Sequence, residues 1–259
     1  MNGLSVALWA EVLMFRRSRA PWLSALVFAV IPLVIGFFMV LLKDPLLASR
    51  LGIMTTKAQL TIRATDWPAY FGLLAQVTAG GGLGLFGLLI IWIFGREYSD
   101  RTAKDLLALP TARGDIVLAK FVVTTCWSVV LLALMYAVGL AAGSAIRLAG
   151  WSASVALGAA GTMALTGVLT ILLALPFALA ASAGRGYLPG VGFLLLAVAL
   201  AQVFAGLGWG AYFPWSVAGL ASGAAGPQLL GALSYALVVL TGLAGVVGTR
   251  AWWQFADQT

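Results

Sequence analysis

GREYSDRTAKDLLALPTARGDIVLAK, residues 95–120, holds nine of the 23 charged side chains of a 259-residue chain. It is flanked by the runs Ala69 to Phe94 and Phe121 to Gly143, neither of which contains a charge. An apolar run of about 20 residues crosses the ~30 Å hydrocarbon layer as a helix rising ~1.5 Å per residue. The charged stretch therefore reads as the link between two membrane spans, and the chain as an all-α integral membrane protein.

Composition points the same way: 62% hydrophobic residues, 9% charged and a mean hydropathy of +1.04 exceed what a soluble core can hide. Four further uncharged runs lie at Trp22 to Leu42, Ser152 to Ser182, Leu188 to Leu207 and Gln228 to Thr249, giving six spans in one membrane domain, residues 1–259. The run Ser152 to Ser182 is 31 residues long and contains Pro176, so a tilted, kinked or interrupted helix is expected there. The segment 208–227, GWGAYFPWSVAGLASGAAGP, is uncharged and apolar enough to dip back into the bilayer as one or two short pieces before the last span, a re-entrant extracellular segment. Residues 1–20 place Leu4, Leu8, Val12 and Phe15 on one helical face and end in Arg16, Arg17 and Arg19, the pattern of a retained interfacial amphipathic helix. Glu11 makes this segment too broken to be a span.

Lys and Arg divide unequally between the two sides that six spans imply. Ten (Arg16, Arg17, Arg19, Arg96, Arg101, Lys104, Arg113, Lys120, Arg185 and Arg250) fall on the side of the termini and five (Lys43, Arg50, Lys57, Arg63 and Arg147) on the other. The excess puts both termini, residues 95–120 and the AGRGY turn in the cytoplasm of a plasma-membrane protein, with the 43–68 loop and residues 208–227 outside. Whether the 43–68 loop holds a small helix or only links two spans stays open. Eight tryptophans, including Trp9, Trp22, Trp67, Trp151, Trp209 and Trp253, fall near expected helix ends, as an aromatic belt would place them. His is absent and Cys126 is the single cysteine, so a disulfide or a His/Cys metal site has no support. The basic residues are too scattered for a nucleic-acid surface.

A loop that only reversed direction would need about two to eight residues. Within 95–120, Ser99 suits the cap of a short helix with Asp100 in its first turn and Ala103, Leu106, Leu107 and Leu109 on its apolar side, ended by Pro110. The charge of the stretch is mixed, netting +1, which favours a protein partner over anionic lipid for that apolar side.

REYSDRT at 96–102, the pair Leu106 and Leu107, PTAR at 110–113 and the trailing Lys120 together resemble the cytoplasmic segment of type-2 permeases of ATP-binding-cassette exporters, whose usual form runs REYEEGT, LL, PxSR, Lys at the same spacing. Arg101 stands where that family often has Gly, and Ala112 where it often has Ser. The resemblance extends to the layout of an interfacial helix, six spans and a re-entrant segment. It implies a cytoplasmic coupling helix that docks on a separate ATPase subunit, with Glu97, Asp100, Arg101, Thr102, Leu106, Leu107, Pro110 and Arg113 as contact or support positions. It also implies a complex of two permease chains with two ATPases, the permeases being two identical copies or relatives, and ATP and Mg²⁺ bound on the partner.

No catalytic residues are expected on this chain, and no GxxxxGK[ST] loop occurs; the nearest glycine-rich run, Ala79 to Gly87, lies within a span. An ion-coupled secondary transporter would carry ionisable residues near mid-span, and these runs have none. A non-transporting scaffold or immunity protein is the other alternative. Gln76, Thr78 and Gln202 are the polar residues that could line a pathway, or simply bond between helices. Gly80, Gly84 and Gly87, and Gly158, Gly161 and Gly167, permit close helix contact within the chain, at a dimer contact or at a hinge. Apolar, aromatic walls suit an amphipathic or hydrophobic substrate such as a drug, antimicrobial peptide or lipid.

Overall fold

The computed structural model describes residues 3–43, 64–100, 111–224 and 230–255. The described chain is helical: α1 (Gly3–Arg17), α2 (Ala20–Lys43), α3 (Trp67–Ser99), α4 (Arg113–Ala145), α5 (Ala153–Ala174), α6 (Pro176–Ala183), α7 (Tyr187–Gly206), α8 (Pro214–Ala221) and α9 (Ala232–Phe255), with a 3₁₀ turn at Gly210–Tyr212. Among the described residues six stretches are long and apolar enough to span a bilayer: α2, α3, α4, the pair α5 and α6, α7 and α9. The local chemistry explains their starts. Asp66 caps α3 by accepting from the Ala69 amide at 2.9 Å, and Ser152 caps α5 by accepting from Val155 at 3.1 Å. Pro176, which lacks an amide hydrogen, divides the long fourth span into α5 and α6.

α3 is the central element and packs on α2, α4, α5, α6 and α7. Phe28 of α2 stacks on Phe86 of α3 with ring centroids 5.3 Å apart, and the Tyr70 hydroxyl donates to the Pro32 carbonyl at 2.9 Å. α9 lies across the α5/α6 break so closely that a Cβ on Gly245 would stand 2.6 Å from the Pro176 nitrogen, a backbone atom that cannot swing away. Small residues let helices approach in this way where lipid removes any hydrophobic drive between them. Gly245→Val is expected to cost about 1–3 kcal/mol, the range for overpacking, read as a lower unfolding temperature in detergent; an unchanged temperature would reject the contact.

α3 and α4 are 33 residues each, about 50 Å at ~1.5 Å per residue, so both outrun the hydrocarbon. The two helices therefore continue past the expected span ends, Phe94 and Phe121, to Ser99 and Arg113. Ser99 closes α3, with Asp100 as its C-cap, and does not open a new helix. Leu106, Leu107 and the remainder of the expected coupling helix lie outside the described residues, as does most of the 43–68 loop. The tryptophans divide: Trp9, Trp22, Trp151 and Trp209 are exposed, as a belt requires, whereas Trp67 and Trp253 are buried. Trp253 is instead a packing residue, donating to Ser182 Oγ at 3.0 Å. Gly87 and Gly167 serve packing within the chain, against Phe177 and Leu132, while Gly80, Gly84, Gly158 and Gly161 face open space.

The 3₁₀ turn and α8 pack into the bundle against α5, α7 and α9. Trp215, one residue into α8, meets Phe193 of α7 at 5.7 Å and donates to the Leu173 carbonyl at 3.1 Å, next to the α5/α6 break. Since Phe193 lies only two turns from the start of α7, the segment folds back well along that helix.

Candidate functional site

One end of the bundle gathers α1, the end of α3, the start of α4 and the end of α9. Glu11 on α1, Arg96 and Glu97 on α3 and Lys120 on α4 meet there in a buried ring of charge. Arg96 Nη2 donates to Glu11 Oε1 at 2.6 Å, and Lys120 Nζ to Glu11 Oε2 at 3.2 Å. Lys120 Nζ and Arg96 Nε both donate to Glu97 Oε1, at 2.7 and 3.2 Å. The Ile93 carbonyl accepts from Lys120 Nζ at 3.3 Å, which gives its ammonium a third acceptor. Lys120 is fully buried, and the Arg96 guanidinium lies 5.1 Å over the Trp92 ring. Among the described residues two acids meet two bases, and this pairing is what permits their burial.

The local sequence dictates this arrangement. On α1, Leu8, Glu11 and Phe15 fall three and four residues apart, on one face, and Glu11 and Phe15 are the buried pair. Val12, expected on that face, is exposed. Phe15 packs edge-on against Trp127 of α4 at 5.6 Å, seating α1 next to the ring.

Of the residues nominated from sequence, Glu97 lies in the ring, Asp100 is the exposed C-cap of α3, and Arg113 opens α4. Arg113 Nη1 donates to the Trp253 carbonyl at 3.4 Å, tying the base of α4 to the end of α9. Arg101, Thr102, Leu106, Leu107 and Pro110 lie outside the described residues. Sequence reasoning missed Glu11 and Arg96 as site members and gave Lys120 a place in the motif without a role. A carboxylate at helical spacing on the apolar face of α1 was the available signal for Glu11.

Thr78 is buried and donates to its own helix at Leu74, and Gln76 is half-buried. Gln202 lines a cavity of about 180 Å³ between α3, α7 and α8, together with Gly80, Leu83, Trp215 and Ser216.

The profile of the ABC-2 family transporter protein matches residues 7–201, three quarters of the chain and a stretch that includes all four members of the ring. The chain belongs to the ABC-2 transporter family. This ABC-2 transporter protein is 25% identical over 177 residues to the bacitracin transport permease protein BCRB of Bacillus licheniformis, a match covering 68% of this chain and 85% of that protein. It is a type-2 permease subunit, a multi-pass membrane transport component, as the charged motif and the six spans led one to expect.

Proposed function

We propose that this permease forms the transmembrane pathway of an ATP-driven exporter in the cell membrane, and that its charged end couples that pathway to a separate ATPase chain. The observation that carries the reading is the buried ring of Glu11, Arg96, Glu97 and Lys120, which ties α1 to both helices that lead into and out of residues 101–110. A push delivered to that stretch reaches α3 and α4 together. Each is a continuous helix of 33 residues, and α3 is the hub of the bundle, so displacement at its end is carried to the spans around it.

In this mechanism ATP and Mg²⁺ bind on the partner, the ATPase pair closes, and the coupling segments of two permease copies move with it. The central pathway then switches between inward and outward exposure. The excess of Lys and Arg at the ring's end supports a cytoplasmic placement for that end and for both termini; the exposed Trp9 and the terminal Arg16 and Arg17 on α1 suit a position near the interface. The 3₁₀ turn and α8 then form the outer re-entrant segment. Similarity to a bacitracin transport permease, together with largely apolar walls around Gln202, supports an amphipathic or hydrophobic cargo such as an antimicrobial peptide or a drug.

Affinity purification of the chain from its native membrane in mild detergent tests the proposal. A stoichiometric soluble partner with a phosphate-binding loop is the expected result. A folded permease that brings no such ATPase with it would overturn the coupling and favour a scaffold.

A further inference from the structure

A second feature of the charged end lies outside the ring. α1, α2 and α4 enclose an open cleft of about 540 Å³. Its floor is Phe15 and Trp127, and the Trp127 indole is fixed by donating to Ser24 Oγ at 3.0 Å. Its wall follows α4 through Val123, Cys126 and Val130, seven residues or about 10 Å along the helix axis. The mouth holds Arg16 and the exposed Trp22. Among the described residues Arg16, Arg17 and Arg19 form no ion pair, in contrast to the fully neutralised ring a turn away.

We propose that this cleft binds one anionic phospholipid, its phosphate on Arg16 and an acyl chain along Val123, Cys126 and Val130. The chemistry of the cleft selects this occupant. An apolar trough running down a membrane span, with an uncompensated guanidinium at the interfacial end and an indole beside it, complements an acyl chain below an anionic headgroup. A soluble anion would find Arg16 but no use for the trough, and an uncharged hydrophobe would leave Arg16 unmatched. Because α1 supplies one side of the cleft and Glu11 of the ring, a bound lipid also holds α1 in its seat. The inference rests on the membrane-spanning architecture and not on ATPase coupling.

Native mass spectrometry of the delipidated permease, titrated with phosphatidylglycerol and with phosphatidylcholine, tests it. The wild-type chain is expected to retain a single phosphatidylglycerol about fivefold more tightly than phosphatidylcholine, the preference expected of one basic contact near the surface. Arg16→Lys keeps that preference, Arg16→Gln brings the two lipids to parity, and Cys126→Trp, which fills the trough at an exposed position, removes the tight phosphatidylglycerol adduct. Equal retention of both lipids by the wild type would overturn the proposal. So would an undiminished phosphatidylglycerol preference in Arg16→Gln, or a tight adduct surviving in Cys126→Trp, since either puts the lipid elsewhere on the bundle.

Discussion

Lys120→Met is expected to leave the six spans inserted while releasing α1 from the bundle and reducing ATP-driven efflux at least tenfold. Lys120 is fully buried and donates to Glu11, to Glu97 and to the Ile93 carbonyl. Methionine keeps most of the volume but removes one of the two cations that, among the described residues, face the two buried carboxylates. Removing one partner of a buried charge set costs about 3–5 kcal/mol, because the remaining charge is uncompensated. The spans are held by helix packing, so the loss falls on the weakest attached piece, the α1 seat. Amide exchange over α1 should accelerate by roughly a hundredfold to a few thousandfold. Adding Glu97→Gln rebalances the described charges, with Glu11 and Arg96 still paired at 2.6 Å, and should recover much of the protection. Efflux should recover less, since the Lys120 bonds that join α4 to α3 at their bases would still be missing. Wild-type exchange and efflux in Lys120→Met would remove the ring from the mechanism.

The ring also explains which parts of this molecule were legible in its sequence. Hydropathy located the spans because burial in lipid demands uncharged residues over a fixed length, and Pro176 announced the α5/α6 break because it cannot complete the helical ladder. The ends of α3 and α4 were misjudged for a single physical reason. Arg96, Glu97 and Lys120 look like the signature of solvent when each is read alone, yet they cancel one another inside the protein and the helices run on through them. Glu11 was hidden more deeply, since its partners lie 85 and 109 residues away. An acid on the apolar face of a short helix looks like a defect until the opposite charge is known to arrive there. Tryptophan gave a similar lesson: Trp22 and Trp253 both stand at helix ends, and only packing distinguishes the exposed ring from the one that donates to Ser182.

Exchanging Leu106 and Leu107 together for Asp is expected to abolish capture of the ATPase while membrane expression and unfolding temperature stay at wild-type values. The two leucines lie between Asp100, which ends α3, and Arg113, which opens α4, and both of those helices are pinned by the ring. Whatever form the intervening residues take, their ends are fixed to the bundle at the charged end. The motif resemblance assigns the pair to the apolar side of the coupling segment. Burying a leucine at a contact contributes about 1.5–3 kcal/mol, so removing two and presenting carboxylates in their place weakens association by well over a hundredfold. The spans do not depend on these side chains for hydropathy, so insertion should be indifferent to the change. Copurification in detergent with a fixed amount of ATPase, alongside a thermal scan of the permease alone, separates the two effects. Undiminished capture by a normally expressed double variant would move the docking surface away from this pair, and the basal ends of α3 and α4 themselves would become the next candidate contact.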